Sequence, residues 1–507
     1  MPSRAFLIFI GVVSLVLYAS VSWLSLQFNW GEGYAHRPIA TYVGIYLGLF
    51  ALYVFACGLI FNGLDDRKTF RTLILFGLLF RAAILPSQQI QEDDIYRYLW
   101  DGKVFAHGIN PYRYAPSEVN DYTALKIREP DIFQQQYTQK NQEELALLNR
   151  LKWEKDTALI FLERVNHPDV PTIYPPMAQY VFRIAHKIFP DSIAGMRLAF
   201  LLFDIIAVIF IAKILSALGK NRNFSMIYFW SPLIIKETFN STHLDIIGIS
   251  LLCVSIYFLI RCRNYPATFF LSLSFLGKLY PIILFPLYLK QFFLKNRQTG
   301  KPVGMDIALN SFLFFAVALL FYLPFLDTGL KTFEGLKTYT VYWQSNDSIF
   351  AILVYFYEEV LGVKSEAGAF LSYDMATFLS KATVGIILAG TLVYFLVRQS
   401  RQPIDNERAV REMFILMALV FLLSPVQNPW YLCWVVPFLC VFHFRSFILL
   451  TGLVGLYYLD FYFDYQEIPL YSWWLPWFEY VPFYVYLIFE IWERRRNKTL
   501  DYSRATA

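Results

Sequence analysis

The sequence predicts an all-α polytopic membrane protein, and three observations predict it. Of its 507 residues 57% are hydrophobic and only 16% charged, against roughly 25% charged in soluble globular domains. Apolar runs such as Ala5 to Leu26, Ile39 to Ile60, Ile193 to Leu218, Ile307 to Leu326 and Ala376 to Val397 reach the ~20 residues that a spanning helix needs. Between the runs lie short basic clusters: Arg67, Lys68 and Arg71; Lys220 and Arg222; Arg261 and Arg263; Lys295, Arg297 and Lys301; Arg398 to Arg411; and Arg494 to Lys498. The positive-inside rule assigns such connections to the cytoplasm.

Each element follows from that alternation. The first run has a short basic start and small residues near Ala19 and Ser20, as a signal peptide has. Its apolar stretch is longer than a usual signal-peptide core, so a retained first helix is expected. With Met1 inside, this helix exits, Ile39 to Ile60 returns, and Thr72 to Leu85 exits again. Residues 1–86 are thus N-terminal transmembrane helices. The next long apolar run begins near Ile193, which leaves 87–192 as an extracytoplasmic loop domain with short amphipathic helices, one expected over Asn141 to Glu163. Residues 193–497 form the transmembrane core and 498–507 a cytoplasmic tail, with about 11 to 14 helices in all. Residues 265 to 294 start and end beside basic clusters. They therefore form a tight hairpin or a re-entrant loop that carries "GKLYP", and with it Lys278, to the outer side.

The formal charge of +5 is scattered rather than gathered into a solvated basic patch, so no nucleic-acid partner is expected. The lipid bilayer is the evident one. The five cysteines lack paired metal spacing and are read as packing residues. There is no Walker loop or Rossmann glycine turn to hold a nucleotide. No sequence repeat is visible, which disfavours the common transporter architectures.

The chemistry-bearing residues concentrate in the connections assigned to the outer face. "QEDDIYRYLWDG" (91–102) places Glu92, Asp93 and Asp94 together at a membrane boundary. If Asp94 opens a helix, Arg97, Tyr98 and Asp101 follow on its face at i+3, i+4 and i+7. The bland alternative is an N-cap acid with Arg97 as its ion-pair partner. One acid suffices for capping, however, and burying a carboxylate at membrane depth costs ~2.5 to 3.5 kcal/mol, so three of them point to a polar cavity. His243 and Asp245 in "NSTHLD" are suited to binding a metal, orienting a sugar hydroxyl, or capping the next helix. Lys278 sits among apolar residues, where an anionic partner such as a lipid phosphate offsets its burial, with snorkelling to ordinary headgroups as the alternative. Tyr174 in "PTIYPPMAQ" and Trp430 and Tyr431 in "QNPWYLCWVVPF" are either interfacial anchors or rings that hold a sugar face or an isoprenoid chain.

Taken in order, "EDDIYRYLWDG", "GINPYRYAP", "PTIYPP", "NSTHLD", "GKLYP" and "NPWYLCW" resemble the GT-C membrane glycosyltransferases, especially the bacterial polyprenyl-phosphate-mannose-dependent mannosyltransferases. The acid-x-Tyr step also resembles the first-loop motif of the oligosaccharyltransferase catalytic subunit and the GPI mannosyltransferases. One departure is that the acidic loop follows the third helix here, whereas in the family it commonly follows the first. The resemblance implies a GT-C type bundle that moves a hexose, expected to be mannose, with inversion, from a polyprenyl-phosphate donor to a glycan, glycolipid or protein hydroxyl. It implies the bacterial inner membrane, with the site on the periplasmic side. Asp94 best matches the family's acid and is expected as the base, with Asp93 next. Lys278 and Arg97 are expected on the donor phosphate, and Glu92, Tyr98, Asp101, Tyr174, His243, Asp245, Trp430 and Tyr431 in substrate binding. No cofactor is required in this reading and no metal ligand is assigned, although the acids leave room for Mg or Mn. The alternative function is a transporter or flippase for a lipid-linked sugar that uses the same acids to bind and not to react.

Overall fold

The computed structural model describes residues 4–300, 302–363, 374–398 and 405–506, with no account of the side chains of 469, 470 and 498 onward. Lys301, the 399–404 part of the basic run and the side chains of the tail lie outside the described residues. The chain is 79% helical, and the described residues contain no strand, only an isolated bridge between Ser345 and Val426. It is an all-α polytopic membrane protein.

The first helices are α1 (Arg4–Ser25), α2 (Ile39–Phe61) and α3 (Arg67–Ile84). Asp66 caps α3, accepting from the backbone N–H groups of Lys68 and Thr69. Six helices among the described residues are long and apolar enough to cross a membrane. The expected ~11 to 14 spans thus differ from the structure in continuity, because shorter apolar pieces such as Asp245–Ile260 and Pro429–Phe442 make up much of the remaining core. Prolines at 232, 281, 286 and 429 stand at the first turns of short segments, where the missing N–H is tolerated and a longer helix is not.

The loop between α3 and the next long helix holds α4 (Asp94–Ala106), α5 (Pro116–Arg128), α6 (Pro130–Gln136), α7 (Gln139–Lys152), α8 (Asp156–Glu163) and α9 (Pro176–Ile188). The single helix expected over 141–163 is broken at Trp153–Lys155. Helix α4 packs on α9, and Gly102 permits the approach, since a Cβ there would lie 2.6 Å from the Phe182 carbonyl oxygen. Helix α10 (Ile193–Ala217) then crosses and packs on Asp245–Ile260, which pairs in turn with Asn264–Gly277. Lys278 caps the end of Asn264–Gly277, and a 3-10 turn, Tyr280–Leu284, leads into the return helix Phe285–Thr299.

A buried ion pair fixes α3 against α10. Arg81 Nε lies 2.5 Å from Asp204 Oδ2, both side chains nearly inaccessible. Tyr228 donates to the same carboxylate at 2.8 Å, and Arg81 also donates to the Phe229 carbonyl at 2.7 Å. Removing one partner of such a pair costs about 3–5 kcal/mol, so it locks the register of the helix that launches the acidic loop.

The polar connections separate to the two ends of α10, a helix about 37 Å long by its 1.5 Å rise. At its C-terminal end Lys220 pairs with Glu407 at 3.3 Å and Asn406 donates to the Ile260 carbonyl. There too Lys295 donates to the Cys262 carbonyl and the Arg222 guanidinium lies over the Phe70 ring. At its N-terminal end Arg197 donates to the carbonyls of Leu85, Ser87 and Asn240 at 2.5–2.8 Å. Asn240 in turn donates to Ser87 Oγ and the Gln88 carbonyl. The acidic loop and "NSTHLD" are thereby sewn together.

Candidate active site

A cavity of about 370 Å³ opens at this second end, lined by segments that are far apart in sequence. Glu92, Asp94 and Arg97 come from the acidic loop and α4, and residues 166–175 from the stretch before α9. Lys278 to Tyr280 come from the "GKLYP" turn, and Asn428, Trp430 and Tyr431 from "QNPWY". Leu336, Tyr339, Thr340 and Trp343 close the remaining side.

Asp94 is the first residue of α4 and projects into this space. Asn166 Nδ2 donates to its Oδ1 at 2.8 Å, and Tyr98 OH donates to Oδ2 at 3.3 Å from one turn along the helix. His243 Nδ1 stands 3.5 Å from Oδ2, and the far nitrogen of that ring is 3.5 Å from Glu237 Oε2. The imidazole is buried and stacked on Trp430, with centroids 4.0 Å apart and planes 19° apart. Burial pushes the Asp94 pKa up. The hydrogen bond from Asn166, with the nearby His243 ring and the Lys278 cation, outweighs burial and holds it below the ordinary carboxylate range. Asp94 is thus an ionised acceptor facing a cavity.

Its neighbours are placed differently. Asp93 is the N-cap residue of α4, makes no side-chain cap bond and pairs with Arg164 at 3.1 Å. It does not line the cavity. Burial raises the Asp93 pKa and Arg164 opposes that. Glu92 does line the cavity. Burial pushes its pKa well above the ordinary 4.5, with Lys236 opposing. Arg97 lines the cavity, but instead of pairing with Asp94 it donates to the carbonyls of Asn166 and His167 at 3.1 and 2.9 Å. Asp101 lies behind the wall and accepts from Gln179 at 3.0 Å. Tyr98 also lies behind the wall, its ring stacked on Phe182 at 4.6 Å and edge-on to Tyr174.

Across the cavity, Lys278 Nζ is 2.8 Å from Asp245 and 4.2 Å from the centroid of Tyr431. Asp245 also accepts from Trp434 Nε1 at 2.6 Å, which orients the carboxylate that holds the lysine. Tyr431 and Tyr339 share a hydroxyl contact at 2.8 Å. One cavity is therefore lined by an ionised acid, by Lys278 with its Asp245 partner behind it, and by aromatic rings.

The backbone around the acids is strained. Gln91, His167 and Thr242 all adopt positive φ (67°, 47° and 62°), a conformation unfavourable for any side chain and most unusual for β-branched threonine. Gln91 precedes Glu92, His167 follows Asn166, and Thr242 precedes His243. Such residues persist where surrounding contacts over-determine them, commonly at functional sites. Here Arg197 donates to Thr242 Oγ1 and the His243 N–H to the Glu237 carbonyl. A π-helical turn, Lys236–Asn240, carries Glu237.

Asn166, Glu237, Arg197 and Trp434 were not singled out in the sequence reading. Lys236 and Glu237 did carry a signal, as adjacent charges inside an apolar and aromatic stretch. Asn166 carried none. Among the described residues no group of three or more His, Cys, Asp or Glu side chains is disposed to hold a metal ion. Asp94 and Glu237 lie against opposite nitrogens of His243 and do not converge on one point.

Residues 356–483, about a quarter of the chain, match the family model of the MptB C-terminal domain, a mannosyltransferase-related domain. The matched stretch includes Asn428, Trp430 and Tyr431 of the cavity wall and Trp434 behind it. Comparisons with curated proteins and with solved structures found no match. Over the matched residues, the chain is similar to a mannosyltransferase-type glycosyltransferase.

Proposed function

We propose that the protein is an inverting glycosyltransferase that moves a hexose, mannose in the simplest reading, from a polyprenyl-phosphate donor to an acceptor hydroxyl on the extracytoplasmic face. The observation that carries this reading is the pairing, across one cavity, of an ionised Asp94 with a Lys278 cation. In a single displacement the acceptor oxygen bonds to the anomeric carbon as the bond from that carbon to the phosphate oxygen breaks. The electron pair leaves with the lipid phosphate and the acceptor proton passes to Asp94, so the configuration inverts. Lys278 stabilises the charge that grows on the leaving phosphate, while the Tyr280, Tyr339 and Tyr431 rings offer apolar faces to the sugar or the first isoprene units. Arg97 fixes the 166–167 backbone that presents Asn166 to the base.

The matched mannosyltransferase-related domain, the membrane-spanning fold and a cavity at the end opposite the basic connections all support this reading. The test is transfer by purified protein from a short-chain polyprenyl-phosphate sugar, compared with GDP- and UDP-sugars, to acceptors in a membrane extract. Product from the lipid donor alone is expected. In Lys278→Ala with Asp245→Asn, which leaves no unpaired carboxylate, donor affinity should fall about tenfold to a hundredfold, the contribution of one charge-assisted bond to phosphate. Efficient transfer from a nucleotide sugar overturns the proposal, as does translocation of the lipid-linked sugar without transfer.

A further inference from the structure

At the opposite end of the bundle, α3, α10 and the end of the helix Asp245–Ile260 enclose a groove of about 500 Å³. Three cations line it, Lys213, Arg222 and Arg261, together with the apolar or aromatic side chains of Phe70, Ile209 and Tyr257. No carboxylate does. Among the described residues none of the three cations has an ion-pair partner. Lys213 Nζ lies 4.4 Å from the Phe210 ring and 5.7 Å from Tyr257, and the Arg222 guanidinium 5.5 Å from Phe70. All three cations are exposed.

A neighbouring cavity at the same end shows how the chain neutralises cations when nothing else will. There Arg398, Arg408 and Arg411 share the wall with Asp405, Glu407 and Glu412, and Arg408–Glu412 and Arg411–Glu407 pair at 3.1 Å. The groove has no such internal anions and is open to an external one. Its position says which kind. Lys213 is one turn from the end of α10, and one turn before it Ile209 is 44% exposed, on a helix whose Leu198 and Leu202 are also exposed. An apolar flank open to acyl chains and a cationic end at the headgroup level fit a molecule with both parts.

We infer that this groove binds the phosphodiester headgroup of an anionic phospholipid, with the acyl chains lying along the Ile209 side of α10. Basic pockets between spanning helices on the cytoplasmic side take such headgroups. The inference stands on the membrane-spanning fold and is independent of the reaction proposed for the other end.

The test is native mass spectrometry of the protein released from micelles containing equal amounts of phosphatidylglycerol and phosphatidylcholine. The wild-type protein should retain phosphatidylglycerol selectively. Each cation near the surface contributes about fivefold, so Lys213→Gln with Arg222→Gln and Arg261→Gln should weaken retention by on the order of a hundredfold. Arg261→Gln alone, an exposed position, should lose about fivefold. Replacing Arg67, Lys68 and Arg71 by Gln removes the same charge at the same end, outside the groove, and should leave retention near wild type. Equal retention of the two lipids by the wild type overturns the inference. So does undiminished selectivity in the triple variant, an equal loss in the control, or binding of inorganic phosphate with no retention of phosphatidylglycerol.

Discussion

Glu92 shows what a single carboxyl does when the fold denies it a partner. It is buried, its Oε1 makes no hydrogen bond among the described residues, and burial lifts its pKa well above 4.5. When the folded-state pKa exceeds the unfolded one, the group's contribution to stability is complete below the unfolded value. It is lost as pH rises through the folded one. Glu92→Gln cannot ionise, so it should match the wild type near about pH 4.5 and melt at a higher temperature near about pH 8. Thermal unfolding in detergent at the two values checks this, and a difference that is constant with pH contradicts it. Asp94 shows the opposite balance, with charge and hydrogen bonds outweighing burial. Two acids two positions apart thus take opposite protonation tendencies, one staying ionised and the other neutral beside it.

At the scale of elements, the placement of Asp94 depends on the contact between α4 and α9. Gly102 lies two turns along α4 with its α-carbon against the Phe182 carbonyl, and backbone cannot yield to an added methyl group. Gly102→Ala should cost about 1–3 kcal/mol and reduce transfer, because the whole helix must shift. Gly44→Ala, in α2 with nothing within 4 Å, should melt near the wild type or slightly above it. Equal melting temperatures for the two variants contradict the account. Much of α4 was legible in the sequence. Asp94 opens it, and the i+4 spacing brings Tyr98 to the acid, since local periodicity fixes both. The partner of Arg97 was not legible. Spacing suggested Asp94, but carbonyls 69 and 70 residues away receive its donors, and no local pattern encodes a contact of that range. The same holds for Glu237 behind His243 and for Arg197 across the acidic loop. Short Pro-broken core segments were legible in the sequence, but the break at 153–155 and the bounds of those segments were not, because apolar composition alone does not fix where a buried helix ends.

For the whole molecule, the consequence is a sided protein, with basic connections and the groove at one end of α10 and the candidate site at the other. Ile127 on α5 is 73% exposed, and Cys262 is an exposed native thiol among the basic connections. In intact cells an impermeant maleimide should label Ile127→Cys, while Cys262 should react only after the membrane is opened. The reverse order contradicts the orientation. The proposed base is Asp94, and the most direct measurement of its role is transfer from a polyprenyl-phosphate sugar by Asp94→Asn, with donor binding measured on the same preparation. The amide keeps the shape of the carboxylate and cannot take the acceptor proton. Transfer should therefore fall about 10²- to 10⁴-fold while donor binding stays near wild type, with a milder loss in Asp93→Asn, whose side chain pairs with Arg164 outside the cavity. Wild-type transfer by Asp94→Asn, or a deeper loss in Asp93→Asn, contradicts it.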